Sequence, residues 1–408
     1  MGKFNSREKL LLASLAAAWI VYAVFTTLYG SEATVMMAAL GVNSTQQGFL
    51  TTVQCIGGMG VSLLCVFFGE KLNKLWMIGF GIILLSAGSL ATVFGTSYEQ
   101  VMLYALIAGI GYTFMDIMEN AAVVEIFPDR NKTALPTLHM TFGIGAMAGP
   151  YFFVTSIVDP NMPATFTRPF LVVAVAMAAV FILFLVASRR MFGKTPIPKP
   201  AAVHHDSKGI FRYPAVWIML AAGVLYFTFQ RGIMTWYPTY LYVTAHVDFQ
   251  YSGLALTLFL VGSLACRIAS PFLFNRFDIL KMTILTTLLC AGFMLASVAL
   301  APVAFGLAEA FSVAGGVLQG AFVASFVFLI CRMFPGKAAS ASSVVLIAIN
   351  IAGITAPVWM ASAAGGANDF TVPLYIICAM LLGSAGLIAL AHKVNRPQEE
   401  AAAQNNPV

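Results

Sequence analysis

The chain has 408 residues, of which 60% are hydrophobic and only 9% are charged. A soluble fold of this length cannot bury so much apolar surface, because even large domains keep a polar exterior. The composition therefore excludes a soluble protein and predicts one that lies within a lipid bilayer. The net charge of +6 is not read as a sign of nucleic-acid binding, since the basic residues fall at alternate ends of the apolar stretches.

Twelve apolar stretches are long enough to cross a bilayer as helices, which requires roughly 20 residues each. The first stretch is too long for the core of a signal peptide and lacks a clear cleavage site, so it is predicted to be a permanent span. Spans 1 to 6 are predicted at residues 10–40, 47–68, 75–95, 100–127, 133–156 and 168–188. Spans 7 to 12 are predicted at 213–243, 251–274, 279–300, 303–331, 338–363 and 371–391.

The basic residues indicate how these spans are oriented. If the N-terminus lies inside, all but three of the 22 Lys and Arg residues fall in cytoplasmic segments. The exceptions are Arg168 in an outer loop and Arg231 and Arg267 within spans. Cytoplasmic segments of membrane proteins are enriched in Lys and Arg. The pattern therefore predicts an even number of crossings and two cytoplasmic termini, as in a bacterial-type inner membrane.

A polar, basic and proline-containing segment at residues 189–212 divides the spans into six and six. We expect an all-α membrane protein with a six-helix bundle at 1–188, a cytoplasmic central loop at 189–212, a second bundle at 213–394 and a cytoplasmic tail at 395–408. Two bundles that rock about a midplane site are typical of secondary transporters. A channel is disfavoured, because the sequence contains no filter-like loop.

The six-plus-six layout with a basic central loop resembles the major facilitator superfamily. After span 2, the segment GEKLNK (residues 69–74) resembles a degraded form of the loop motif of that family. An echo of this motif follows span 8, where Arg267 precedes the run Asn275-Arg276-Phe277-Asp278. In the family such loops latch a gate. The resemblance therefore implies gating roles for Glu70, Lys71, Lys74, Arg267 and Arg276.

Spans 4 and 5 carry a narrower likeness. The segments MENAAVVEIFP (118–128) and LHMTFGIGAMAGP (138–150) resemble the fucose-permease-like sugar:proton symporter branch, as does TWYPTYL (235–241) in span 7. The likeness places Glu119 on the acid that this branch carries in helix 4. The sequence departs from the branch at Gln230, where relatives often have an acid, and at the neighbouring Arg231, which is unexpected for a neutral sugar.

A polar stripe is predicted on span 4, since Tyr112, Asp116 and Glu119 recur at helical spacing and Asn120 follows Asp116 by one turn. Ionisable groups within a bilayer are costly and usually functional. Two carboxyl groups about one turn apart repel each other, and desolvation also disfavours their ionisation. We therefore expect Glu119 and Asp116 to be proton-coupling residues, with a structural acid held by a hydrogen bond or an ion pair as the alternative.

Other polar residues in the first half have weaker assignments. Glu32, towards the outer part of span 1, is interpreted either as a further proton-coupling or gate residue or as a solvated acid at the outer edge. His139 precedes a glycine-rich stretch and is interpreted either as a substrate contact or as a hydrogen-bonded core group. Glu125, near the cytoplasmic end of span 4, is expected to be structural.

Arg231 is the most informative residue of the second half, because its guanidinium remains charged and can clamp a carboxylate or phosphate. Static pairing with an acid is the alternative. Tyr226 and Gln230 are expected to share its face, and Trp236 to offer a stacking surface unless it belongs to an interfacial aromatic belt. Asn350 is interpreted either as a ligand contact or as a bond between helices.

These features predict a secondary active transporter that uses alternating access for proton-coupled symport of a small polar solute, either a sugar or an organic anion. Export of amphiphilic compounds or drugs is an alternative, and a membrane receptor or scaffold is another. An enzyme is disfavoured, since no nucleotide loop or nucleophile motif occurs. No cofactor or metal is expected, because the six cysteines lack zinc-ligand spacing. The chain is expected to act as a monomer.

Overall fold

The computed structural model describes residues 5–68, 72–127, 131–193, 207–334 and 338–405. Within them the chain forms helices and connecting turns and no strand. The helices of the first half are α1 (Ser6–Ser31), α2 (Ala33–Leu40), α3 (Ser44–Phe68), α4 (Lys74–Val93), α5 (Tyr98–Ile126), α6 (Asn131–Ser156) and α7 (Thr167–Phe192). Those of the second half are α8 (Pro214–Thr239), α9 (Phe249–Arg276), α10 (Ile279–Leu300), α11 (Phe305–Gly320), α12 (Phe322–Met333), α13 (Ala338–Ala364) and α14 (Thr371–Asn405).

These helices confirm the predicted twelve-span, all-α fold. Ten predicted spans correspond to one helix each, and spans 1 and 10 are each divided into two, at Glu32 and at Ala321. By length and composition, eleven membrane-crossing segments occur among the described residues. The remaining predicted span, 133–156, coincides with α6, which is helical throughout. The chain is therefore a multi-pass membrane protein.

Helix boundaries follow local sequence signals. Asn5 and Glu8 form a reciprocal capping box at the start of α1, with bonds of 2.7 and 2.9 Å. Asn73 caps α4 and Asp278 caps α10 through side-chain acceptors. Pro238 lies inside α8, and a π-helical turn at Tyr240–Thr244 follows it. A proline removes one backbone donor, so a local change of helical register at this point is expected.

Contacts divide the chain into two compact units, Met1–Ala201 with Asp248–Thr257 and Ala202–Val247 with Leu258–Val408. The predicted central loop lies partly outside the described residues, so its boundaries stay a prediction. At its start, α7 continues to Phe192, and at its end a 3₁₀ helix covers Ser207–Arg212. At the other end of the chain, α14 extends beyond the predicted span 12 as far as Asn405.

Glycine allows neighbouring helices to approach closely within each unit. In the first unit, a Cβ atom at Gly145 of α6 would overlap the carbonyl oxygen of Ile20 on α1. In the second unit, Gly316 and Gly320 of α11 face the carbonyl oxygens of Phe259 and Ser263 on α9 in the same way. Small residues four apart are a common device for helix packing in membranes. This packing fixes α9 against α11, where the polar residues of the second unit lie.

We predict that Gly316→Ala destabilises the protein by about 1–3 kcal/mol, because the added methyl group forces α9 and α11 apart. The thermal unfolding midpoint in detergent measures this effect. Gly292→Ala in α10 is the matched control, since its added Cβ meets no atom within 4 Å. An equal loss of stability in both variants would contradict the close-packing interpretation.

Candidate functional site

The predicted polar stripe of span 4 lies on α5. Glu119 is fully buried, while Tyr112, Asp116 and Asn120 are half-buried. The amide nitrogen of Asn120 donates to Oδ1 of Asp116 and to the main-chain carbonyl of the same residue, both at 2.8 Å. Asp116 is thus held by a hydrogen bond one turn along its own helix. The structure therefore gives the two carboxyl groups of the stripe different surroundings.

Both carboxyl oxygens of Glu119 are buried and have no hydrogen-bond partner among the described residues. The buried Trp19 of α1 lies within interaction range of this carboxyl group. The indole N–H of Trp19 is a donor that stabilises the ionised form of Glu119 only in part. An ionised carboxylate without a paired cation in such surroundings costs several kcal/mol, in order-of-magnitude terms. The neutral, protonated acid is the form that this environment accommodates.

Aromatic side chains from three helices surround the stripe. Tyr22 of α1 stacks on Tyr112 with ring centroids 4.9 Å apart, and Phe142 of α6 meets Tyr22 edge-on at 5.3 Å. Trp19 meets the same Phe142 ring at 6.0 Å. The packing of α1, α5 and α6 therefore places an aromatic wall beside the acids. Trp19, Tyr22 and Phe142 were not predicted as site residues, although the spacing of Trp19 and Tyr22 by three residues puts both on one helix face.

Glu32 lies at the junction of α1 and α2 and is fully buried, so the prediction of a solvated acid at the outer edge is wrong. Neither of its carboxyl oxygens has a hydrogen-bond partner in the described part of the chain. Tyr29 lies within electrostatic range, and its own hydroxyl is buried. Gln47 of α3 donates to the carbonyl oxygen of Tyr29 at 3.0 Å. Gln47 is a further residue that sequence analysis missed.

In the second unit, Tyr226 and Gln230 of α8 meet at Gln319 of α11. The hydroxyl of Tyr226 donates to Gln319, whose Oε1 and carbonyl oxygen lie 2.7 and 3.0 Å away. Gln230 reaches the same Oε1 at 3.5 Å, and the amide of Gln319 donates to Ser263 of α9 at 2.9 Å. Tyr226 and Gln230 therefore share one hydrogen-bond partner, whereas a common face with Arg231 stays a prediction. Gln319, at the centre of this network, gave no signal in the sequence beyond its polarity in an apolar span.

The other residues assigned in the second half have varied environments. Arg231 of α8 and Asn350 of α13 are half-buried. Arg267 of α9 lies within electrostatic range of Tyr226, beside the Gln319 network. Trp236 is fully buried, stacks on Phe370 at 4.4 Å and donates to the carbonyl of Pro357 at 3.0 Å. Because Trp236 is buried with Phe370 against its ring, the predicted stacking surface for a ligand and its alternative, an interfacial aromatic belt, are both wrong. Trp236 is a core residue in this structure.

The residues assigned to gating are only partly described. Lys74, at the start of α4, forms an ion pair with Glu125 of α5, and the two side chains are 13% and 9% exposed. The pair joins the start of α4 to the end of α5, two helix ends that the predicted orientation would place on the cytoplasmic side. Glu70 and Lys71 lie outside the described residues, and Arg276 is exposed at the end of α9. The gating roles stay predictions.

His139 lies on α6, and its side chain is outside what the structure describes. Among the described residues, no group of three or more His, Cys, Asp or Glu side chains has the arrangement of a metal site. None of the six cysteines, all of which the structure describes, forms a disulfide bond, and four of them are buried.

The fold and these intramembrane polar clusters define a multi-pass membrane transporter of the two-bundle type. The sequence model of the Major Facilitator Superfamily matches residues 14–357, and the chain belongs to this family. A search among curated proteins found no significant match.

Solved structures of transporters share the fold. The nucleoside transporter NupG is 13% identical with a TM-score of 0.77, covering 95% of this chain and 100% of its own. A point mutant of NupG is 14% identical with a TM-score of 0.75, covering 94% and 99% of the two chains. A bacterial homologue of the human lysosomal transporter Spinster, inward-facing and occupied, is 12% identical with a TM-score of 0.74, covering both chains fully. At these identities the likeness shows the fold alone.

Proposed function

We propose that this protein is a proton-coupled symporter of a small polar solute that works by alternating access. The observation that carries the proposal is the Glu119 carboxyl group, which is fully buried and has no ion-pair partner among the described residues. A group in these surroundings binds a proton readily and releases it only when water or a positive charge reaches it. Exposure of the group to one side of the membrane at a time would couple proton movement to the conformational cycle.

Asp116 and Glu32 complete the set of proposed coupling residues. Asp116 lies one turn from Glu119, so ionisation of either carboxyl group opposes ionisation of the other. Its hydrogen bond from Asn120 stabilises a charge on Asp116 rather than on Glu119. The proton is therefore expected to reside on Glu119, with Asp116 as its electrostatic partner. Glu32, equally buried, is a second place at which a proton can be held.

Each unit contains residues that are proposed as solute contacts. Tyr112 and Asn120 of α5 and His139 of α6 are the proposed contacts in the first unit, and Gln230, Arg231 and Asn350 in the second. Tyr226 remains a candidate only through its hydroxyl, since its ring stacks on Phe322. The positive charge of Arg231, a half-buried residue, is the chemical basis for preferring an organic anion among polar solutes. Neutral solutes are the alternative: a sugar, from the resemblance to the sugar:proton symporter branch, or a nucleoside, from the likeness in fold to the nucleoside transporter NupG.

The proposed setting is a bacterial-type inner membrane with both termini in the cytoplasm and a single chain as the working unit. The distribution of Lys and Arg supports this orientation. Export of amphiphilic compounds is the second candidate function, favoured by the 20 methionines and 33 phenylalanines of the chain. Such residues also serve as ordinary core and lipid-facing material, so uptake of a polar solute is preferred.

A thermal-shift screen of carboxylates, neutral sugars and nucleosides is expected to show the largest stabilisation with a carboxylate. In Arg231→Gln, the affinity for that carboxylate should fall roughly tenfold or more, because a charge-assisted hydrogen bond contributes about 1.5–3 kcal/mol. Arg168→Gln removes an exposed arginine of the first unit and serves as the control. Stabilisation by neutral sugars or nucleosides alone, unchanged in Arg231→Gln, would exclude the anion clamp.

Glu119→Gln is expected to abolish proton-driven accumulation of the solute found in this screen while counterflow exchange in proteoliposomes stays largely intact. The amide keeps the size of the side chain but cannot exchange a proton. Glu99→Gln, at the exposed start of the same helix, is the matched control and should accumulate solute normally. Undiminished accumulation by Glu119→Gln would refute the coupling role, and proton-driven extrusion of lipophilic cations by the wild-type protein would favour the exporter.

A further inference from the structure

A groove on the first unit runs between α4 and α7 and has a volume of about 580 Å³. Its walls are apolar, with Trp76, Phe80 and Ile83 on α4 and Phe181 and Leu185 on α7. Trp76 is 76% exposed, so most of its indole surface is open to a ligand. The groove is therefore a preformed apolar channel on a surface that faces lipid.

One end of the groove is basic. A second cavity, of about 630 Å³, is lined by Arg7, Arg189 and Arg190, and it shares Arg189, Phe192 and Gly193 with the groove. The described residues that line the two cavities include no Asp or Glu. Lys74 lies between Asn73 and Leu75, which line the groove, but its charge is paired with Glu125. Lys74 is therefore not counted with the three arginines. The positive charge is concentrated where α7 ends.

The length of the groove matches one leaflet. From Leu75 to Ile83 on α4 and from Phe181 to Phe192 on α7, a rise of 1.5 Å per residue gives roughly 12 and 16 Å. Half of a hydrocarbon core of about 30 Å is about 15 Å. In the proposed orientation the basic end lies at the cytoplasmic surface, so the groove reaches from that surface to about the midplane.

A glycine keeps part of the groove open. Gly79 of α4 faces the α7 wall, where an added Cβ would lie 3.5 Å from Phe181 and 3.6 Å from Phe184. One methyl group therefore fits in ordinary contact, whereas a larger side chain would enter the space between the helices. This position offers a way to fill the groove without removing a charge.

We propose that this groove and its three arginines form a binding site for an anionic diacyl phospholipid of the cytoplasmic leaflet. Basic pockets between membrane helices recognise anionic headgroups. The phosphate pairs with Arg7, Arg189 and Arg190, and one acyl chain lies along Trp76, Phe80 and Ile83. A soluble phosphate compound would use the arginines alone, and a zwitterionic lipid would gain less from them. The combination of charge and groove selects the anionic lipid.

Quenching of Trp76 fluorescence by acyl-brominated phosphatidylglycerol tests this site in detergent, with brominated phosphatidylcholine as the neutral comparison. The Trp76→Phe variant identifies the part of the signal that comes from the groove. We expect saturable quenching at low phosphatidylglycerol concentration and weaker quenching by phosphatidylcholine. Equal quenching by the two lipids would overturn the proposal, as would full displacement of phosphatidylglycerol by inorganic phosphate at matched concentration.

Two sets of variants separate the headgroup from the groove. Arg189→Gln with Arg190→Gln should weaken phosphatidylglycerol binding roughly thirtyfold, since each basic residue near the surface contributes about a fivefold effect. Arg212→Gln with Arg332→Gln removes the same charge from exposed positions of the second unit and should leave binding within about twofold. A comparable loss of phosphatidylglycerol binding in both double variants would show that the arginines act only by general electrostatic attraction. That result would refute the site.

Gly79→Leu should weaken quenching by both lipids, because the side chain fills the groove. Leu185→Phe narrows the groove from the other wall at a 37% exposed position and covers the case in which Gly79→Leu does not fold. Size-exclusion profiles establish that each variant is folded. Wild-type quenching in a folded groove-filling variant would show that the acyl chain does not lie between α4 and α7.

Discussion

In the hydrocarbon of a bilayer, a polar group must find its partners within the protein. The helices satisfy almost all of the backbone in this way, and most intramembrane hydroxyl groups bond to the carbonyl three or four residues earlier, as Thr27 and Ser31 do. Glu119, Glu32 and Glu309 of α11 depart from this rule, because their carboxyl oxygens are buried and do not bond to such a main-chain partner among the described residues. The functional proposal depends on this exception. A carboxyl group without such a partner in one conformational state can bind a proton in that state and release it in another.

The number and order of the helices could be predicted from the sequence, because crossing a bilayer requires long apolar runs and the chain supplies twelve of them. Hydropathy carries no information on breaks within a run. Spans 1 and 10 are therefore each interrupted where the sequence shows one unbroken stretch. Both interruptions lie at polar features: Glu32 stands at the first, and Gln319 accepts the Tyr226 hydroxyl bond beside the second.

The part of the candidate site that lies on a single helix could be predicted from the sequence. Tyr112, Asp116, Glu119 and Asn120 share a face of α5 because helical spacing requires it. Contacts between helices could not be obtained in this way. Gln47, Gln319 and the ring of Phe142 acquire their significance only from residues distant in sequence, so their identity alone gave no reason to select them. Trp236 is the opposite case, a residue that was selected and does not belong to the site. An intramembrane tryptophan suggests a stacking surface for a ligand, but the ring of Phe370 packs against it.

The protein is proposed to use the bilayer in two opposite ways. At Glu119 it excludes lipid and water to hold a proton, whereas at the groove between α4 and α7 it admits a lipid and selects it by charge. The proposed proton site and the proposed lipid site both consist of a few ionisable side chains on long apolar helices. The Lys74–Glu125 ion pair joins α4, the helix that lines the groove, to α5, the helix that carries the acids.

The protonation state of Glu119 can be observed directly by infrared difference spectroscopy of the purified protein in lipid. The account predicts a carbonyl stretching band of a protonated carboxylic acid at neutral pH that is lost in Glu119→Gln and kept in Glu99→Gln. Transfer to deuterated water should shift this band only slowly, since the group is fully buried. A spectrum that is identical in the wild type and in Glu119→Gln would contradict the central claim that Glu119 holds a proton in this state.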